Sequence, residues 1–401
     1  MTINPKSTNL PMNSAPPNIT MTPSIMGPFK LVLRWSGLDL SEASVAQSGW
    51  LKTIRMIVVC IFICLPIFIK SLLLILFDTR PMSLEWATIL VLAFMALNGL
   101  SSALCVIAWT KSRFLPKLQE KLAKVQNQRS PLCGKTCLTG TYRKIVIGTA
   151  AFMILWFGSS MRGILYEGEI TNSSEPFHMG YPLNIATLYG LDPIVSLLIG
   201  FVSSLALLMY VLVYAHVTRE WAAFNEDLSN ASRIKQLAAQ GLLQKLSKRQ
   251  VELLRLVKFV SEKTELFASL STAFGALTFA VGLYQIAAFS KEMTLVMNIF
   301  TFLWLNCGMI VVIITHKQPS QIQIEINNTA QLLLAADYSQ ISKDNEVWKI
   351  CQSMVDRALH SSTEMYFLRA YAMDQYFSHK VLFIAPNVGS LMVMLKKMGV
   401  E

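Results

Sequence analysis

Long apolar runs punctuate the chain near residues 54–77, 86–110, 144–166, 193–215, 266–289 and 294–315. Each is long enough for a helix to cross the ~30 Å hydrocarbon core of a bilayer, where a helix satisfies its own backbone N–H and C=O groups. A further run, Val381 to Leu395, falls short of the ~20 residues that a comfortable span needs. It also carries Pro386, Asn387 and Gly389, and ends at once in Lys396 and Lys397. Such a segment is poorly suited to lipid, because polar and backbone-breaking residues persist at membrane depth when buried in protein or lining water. The pattern predicts an all-α membrane protein with seven transmembrane helices, the last of them a pore candidate.

Between the spans the pattern is helical too. Span 4 is expected to continue past Trp221 toward Ser229, and residues 234–265, with Leu237, Leu242, Leu246, Leu253, Leu254 and Val257, form an amphipathic helix that feeds span 5. Over 346–361, the residues Val347, Ile350, Cys351, Met354 and Ala358 recur at i, i+3, i+4, i+7 and i+11. These stripes need partners, so long helical extensions are predicted to pack as a bundle outside the membrane. Residues 1–45 show little periodicity and read as a disordered tail. The expected organisation is this tail, then 46–315 with six spans and a ligand pocket, 316–365 as anchor helices, and 366–401 as the last helix. No apolar leader follows the start, so the first span is expected to act as its own insertion signal.

Charge sets the orientation. The loop between spans 2 and 3 carries Lys111, Arg113, Lys117, Lys121, Lys124, Arg129, Lys135, Arg143 and Lys144 against Glu120 alone, whereas residues 167–182 hold Glu167, Glu169 and Glu175 without a Lys or Arg. Basic loops stay on the cytoplasmic side. The amino terminus and the long helical extensions are therefore expected in the cytoplasm and the carboxyl terminus outside, in a multi-pass protein of the plasma membrane. The net charge of +11 is mostly this topology signal. No nucleic-acid partner is implied, and contact with anionic membrane lipid follows naturally.

Chemistry is sparse. Cys60, Cys64, Cys105 and Cys307 lie in spans and Cys133, Cys137 and Cys351 on the basic side, so no outer disulfide framework is expected. Cys133-Gly-Lys-Thr-Cys137 is at most half a metal site, with no second pair to complete it. There is no phosphate loop, metalloprotease helix or nucleophile elbow, which excludes the common enzyme classes and leaves no cofactor or metal. Of four sequons, only Asn172-Ser-Ser falls outside, making Asn172 the expected glycosylation site. Arg162 in span 3 needs a partner, and Asp192 is the nearest acid in the topology. Polar and aromatic residues in the outer halves of spans 3, 5 and 6, namely Trp156, Ser160, Tyr284, Gln285 and Asn298, are the candidates for binding a small organic ligand. For any one of them, hydrogen bonding between helices is the simpler role.

The layout resembles the insect gustatory and odorant receptor superfamily of ligand-gated ion channels. An inside amino terminus, short outer loops and a long helical segment between spans 4 and 5 carry the resemblance over roughly residues 45–398. The superfamily's mark is a last helix with Thr-Tyr, five hydrophobic residues and Gln-Phe. Here the register reads Gly389-Ser390, then Leu391 to Leu395, then Lys396-Lys397, so the five are kept and both flanks are replaced. The resemblance implies a homotetramer or heterotetramer of related subunits, an outward pocket for a tastant or odorant, and ions passing a central pore built from the last helices. Gly389, Val393 and Lys397 share one helical face at i, i+4 and i+8. Lining a four-fold axis, Val393 would make an apolar gate, and Lys396 or Lys397 a basic outer ring. The competing class is a seven-span G-protein-coupled receptor, which requires the basic 111–144 loop to lie outside.

Overall fold

The computed structural model describes residues 25–27, 29–36, 38, 49–76, 80–129, 139–160, 192–234, 237, 240–335, 345–360, 366–367, 371–372 and 375–399. After the short helix α1 (Phe29–Trp35), the first rod is made of α2 (Gly49–Val59), a π-helical turn (Cys60–Cys64) and α3 (Leu65–Leu76). Pro66 accounts for the π turn. Its nitrogen has no hydrogen for the Phe62 carbonyl and its ring crowds that group. Widening the turn by one residue lets Leu65 N–H bond to Cys60 O. Only 28% of the apolar stretch in this rod is buried, against 67% for α4 (Leu84–Lys111). The first rod is thus peripheral and α4 central. Ser83 caps α4 by accepting from Trp86 N–H.

A left-handed Arg113 (φ 54°) turns the chain into α5 (Phe114–Gln126). There follow α6 (Thr139–Ser160), α7 (Asp192–Arg233), α8 (Gln240–Phe289), α9 (Leu295–Leu334) and α10 (Asn345–His360). A two-residue antiparallel pair, β1 (Tyr366–Phe367) with β2 (Tyr371–Ala372), leads to α11 (Gln375–Lys397). Among the described residues, the rods Met56–Leu76, Leu84–Lys111, Pro193–Arg233, Gly241–Phe289 and Leu295–Leu334 are long and apolar enough to cross a membrane. The chain is a multi-pass membrane protein. Helices α6 and α11 stand where the third and seventh spans are expected. With 42, 50 and 40 residues, α7, α8 and α9 run on the order of 60–75 Å, about twice the hydrocarbon thickness.

The last helix is continuous over 23 residues, with Pro386 inside it. Its polar start, Gln375–Lys380, leaves the apolar part short, and it is not among the described helices long and apolar enough to cross a membrane. Asn387 folds its Nδ2 back on Phe383 O at 2.8 Å, so its polar group is satisfied within the helix.

Close backbone approach holds the apolar half together. A Cβ on Gly308 would lie 2.7 Å from Gly275 O, so α8 and α9 touch backbone to backbone. Directional bonds fix their rotation. Tyr210 Oη donates to Thr315 O at 2.7 Å, Thr272 and Thr315 hydroxyls lie 3.0 Å apart, and Trp109 Nε1 donates to Lys263 O at 2.8 Å.

The extended half has a polar core. Glu220 of α7 takes both Nε and Nη2 of Arg129, at 2.9 and 2.5 Å. Arg249 of α8 pairs with Asp227 and reaches Glu220 at 3.4 Å, and its guanidinium lies 5.6 Å from the Phe224 ring. Trp221 Nε1 donates to Thr329 Oγ1 at 2.9 Å and Asn225 Nδ2 to Glu325 Oε2 at 2.9 Å, tying in α9. Gln250 Nε2 donates to Met354 O at 2.9 Å and Arg357 Nη2 to Ser247 Oγ at 2.6 Å, tying in α10. Val347, Cys351, Met354 and Ala358 are buried as their spacing predicts, and residues 234–265 are largely incorporated in α8.

Glu220, Asp227 and Arg249 are nearly inaccessible to water. Replacing Arg249 alone would leave two buried carboxylates short of a partner. Arg249→Met is expected to cost about 3–5 kcal/mol, and Arg249→Met with Asp227→Leu less. Thermal unfolding in detergent measures both, and a double variant no better than the single would refute the pairing.

Candidate ligand pocket and pore helix

The outer-half residues gather at one pole of the bundle, where α4, α7 and α9 begin and α8 and α11 end. Tyr284 and Gln285 sit one turn from the end of α8. Tyr284 Oη donates to Met82 O at 2.6 Å and its ring meets Phe289 edge-on. Gln285 Nε2 donates to Thr88 Oγ1 at 2.6 Å. Both side chains are buried and join α8 to α4. The Oε1 of Gln285 is a buried acceptor that takes no hydrogen bond from a described residue.

Trp156 of α6 lies over Gly200 of α7, where a Cβ would come 1.8 Å from its ring. Its Nε1 donates to Ser196 O at 3.3 Å. Asn298, half-buried at the start of α9, gives Nδ2 to Thr294 O at 3.2 Å and to Ser290 and Met293 carbonyls at 3.4 Å, closing the α8–α9 turn. The candidates therefore share a pole, but each works at a different helix junction. The Ser160 and Asp192 side chains, Arg162 and Asn172 lie outside the described residues. Sequence reasoning missed Lys70, which donates from Nζ to Ser196 Oγ at 2.6 Å at the same junction as Trp156. The signal was available as a lone ammonium inside the first apolar run.

On α11 the structure redraws the faces. Gly389 is buried, and a Cβ there would lie 3.0 Å from Ala280 O and 3.4 Å from Tyr284 N. It is the point where α11 approaches α8, not a residue on an open face. Val393 is half-buried and packs on the same core. Lys396 lays its Nζ 3.4 Å from the Phe289 ring centroid, whereas Lys397 is exposed. The open stripe is instead Phe383, Asn387, Leu391, Met394 and Met398, at i, i+4, i+8, i+11 and i+15. The expected Gly389–Val393–Lys397 lining is corrected to this extent: its first two members face their own bundle. Gly389 is small because α8 leaves no room for a side chain.

This arrangement is the fold of an insect olfactory receptor. The structure of olfactory receptor OR5 from Machilis hrabei in complex with eugenol matches with a TM-score of 0.70 at 11% identity, covering 92% of this chain and 99% of that one. A second structure of OR5 matches at 0.67 and 9%, covering 91% and 98%. Residues 25–389 match the family described as Caenorhabditis protein of unknown function, DUF267, and the chain belongs to that family. No curated protein matches. The resemblance to the insect receptors is therefore one of fold, carried by a family of its own.

Packing and recognition separate at Trp156. Gly200→Ala is expected to lower thermal stability by about 1–3 kcal/mol, because the indole has to move. Gly148→Ala, with nothing within 4 Å, should be neutral or stabilising by up to ~1 kcal/mol through helix propensity. Melting curves for the two variants make the comparison, and equal melting temperatures would show that Trp156 yields without cost.

Proposed function

We propose that this chain is a chemosensory receptor subunit: a ligand-gated ion channel for a small organic tastant or odorant, tetrameric, in the plasma membrane. The observation that carries this reading is the match over nearly the full length of both chains to a receptor whose structure holds eugenol. The polar pole supports it. Gln285 offers a buried acceptor next in sequence to Tyr284, a group to which a neutral hydroxyl-bearing organic molecule could donate. The basic 111–144 loop and acidic 167–182 loop support an orientation with the amino terminus in the cytoplasm and this pole outside.

The open stripe of α11 is the proposed pore lining. In a four-fold ring, Phe383, Leu391 and Met394 would supply apolar constrictions, Asn387 an amide ring, and Lys397 a basic outer mouth. Lys396 is turned away onto Phe289. Assembly would use the exposed face of α10, where Trp348, Gln352, Asp356, Arg357 and His360 line an open depression of about 510 Å³.

Native mass spectrometry in mild detergent should find a tetramer, and an active species that is only monomeric would sink the reading. In patch recordings, Lys397→Gln should move the reversal potential toward cation preference, by removing about four like charges from the mouth, while Lys396→Gln leaves it unchanged. The opposite pattern would place Lys396 at the pore. Gln285→Leu should right-shift the ligand dose–response roughly tenfold, as loss of one hydrogen bond of ~1.4 kcal/mol would. An unshifted curve at normal surface expression puts the ligand elsewhere.

A further inference from the structure

The basic residues after span 2 are ordered by the fold into a surface with one kind of partner. The apolar stripe of α5, Phe114, Leu118, Leu122 and Val125, is buried. Phe114 stacks near Trp109 and Phe259, with centroids 6.1 and 5.6 Å away. That stripe is occupied by this chain's own helices, so α5 has no apolar face left for a groove on another protein. The flank beside that stripe, about 100° around the helix, carries Arg113, Lys117, Lys121 and Lys124 at i, i+4, i+8 and i+11, all exposed.

Depth follows from the contacts. Trp109, near the end of the apolar α4, donates to Lys263 O, which puts residue 263 of α8 level with the end of span 2. Further along α5, Lys121 lies 5.2 Å from the Phe259 ring and Lys124 pairs with Glu252 at 3.2 Å. Helix α5 therefore descends along α8, away from the apolar zone. Lys111, Arg113 and Lys117 sit at the boundary with exposed Lys258 and Lys263 of α8, and exposed Arg143 and Lys144 mark the same boundary on α6, where its apolar part begins. The acids at that level are Glu262 and Glu265, with Glu120 on α5. The left-handed Arg113, a conformation that a long side chain rarely adopts, sets this direction of α5 and holds the collar against the rim of the bundle.

We propose that this collar of Lys111, Arg113, Lys117, Arg143, Lys144, Lys258 and Lys263 binds the headgroups of anionic phospholipids in the adjoining leaflet. Clusters of four to eight Lys and Arg directly after a span have this chemistry. Here the burial of the apolar stripe removes the competing use of a basic amphipathic helix as a protein-docking element. The site is separate from the pore and the ligand pole and stands whether or not the chain conducts.

The test reconstitutes the full chain in nanodiscs of phosphatidylcholine, with or without phosphatidylserine, and reads melting temperature together with lipid adducts by native mass spectrometry. The parent should melt higher and retain phosphatidylserine in preference to phosphatidylcholine, with both effects falling as salt rises. In the variant Lys111→Gln, Arg113→Asn, Lys117→Gln, the preference should fall roughly fivefold per charge removed, on the order of a hundredfold in all. Asn at 113 tolerates the left-handed backbone. The control Arg233→Gln, Lys245→Gln, Lys248→Gln removes the same charge from exposed positions; the two lysines lie roughly 20 Å further down α8 from the rim, and Arg233 is the last residue of α7. It should keep the parent's preference. Equal loss in both variants would mean bulk charge, not the collar, and no preference in the parent would overturn the site outright. A matching rise in melting temperature from soluble inositol phosphate in phosphatidylcholine discs would assign the collar to a free anion instead of a lipid. Variants that fail to fold are recognised by melting in phosphatidylcholine alone, and single substitutions then replace the triple, each expected to lose about fivefold.

Discussion

Glu220 and Asp227 share a space that water does not reach with Arg249, and Arg129 closes it from the end of α5. Two carboxylates meet two guanidiniums, so the set is neutral as a whole and costly in any part. Removing one member strands a charge in low dielectric, where desolvation outweighs anything the remaining contacts return. Helices with mainly apolar faces can slide past one another, because burial has no direction. These ion pairs make sliding expensive. A one-turn shift of α8 against α7 would carry Arg249 past both of its acids, and with it every contact that α8 makes at the opposite pole.

That single helix connects the two ends of the molecule. The lower turns of α8 hold Arg249 and Gln250, which reach α7 and α10. Its upper turns hold Tyr284, Gln285 and Phe289, which reach α4 and α11. Between them it meets α9 through Gly275. The proposed pocket acceptor and the packing surface of the proposed pore helix are thus consecutive turns of one unbroken rod whose far end is clamped. A ligand that shifted Gln285 would act within a turn of Tyr284, whose backbone N lies 3.4 Å from a Cβ placed on Gly389. The connection needed between pocket and pore is short.

Much of the fold was legible because span length is a one-dimensional property. The run of apolar residues in α4 or α9 is its own evidence, and the stripe Val347, Cys351, Met354, Ala358 defines a buried face without reference to anything else. The charged core was not legible. Glu220 and Arg249 lie beside Arg219, Lys248 and other charges on what reads as the polar face of the helical extensions, and only the register of α7 against α8 singles out the buried pair. The candidate pocket was legible as chemistry but not as geometry. Tyr284 and Gln285 are the right residue types, yet their partners Met82 and Thr88 lie 202 and 197 positions away, so that much of their hydrogen-bonding capacity joins helices could not be read locally. Gly389 was ambiguous in itself. A glycine in a short apolar run can mark a break or a close approach, and the backbone of α8 decides for the latter.

The last helix shows how much turns on rotation alone. Neighbouring residues on a helix are separated by about 100°, which is enough to give Lys396 and Lys397 different roles. Lys396 falls on the bundle side, where the negative face of Phe289 receives its ammonium and keeps it from the open stripe. Lys397 falls on the open side, in line with Met394 and Asn387. The same rotation puts Gly389 against α8 and leaves Ser390 and Leu391 exposed. Two lysines that look redundant in the sequence are therefore not interchangeable: one holds the end of α11 to α8, and the other stands on the open face.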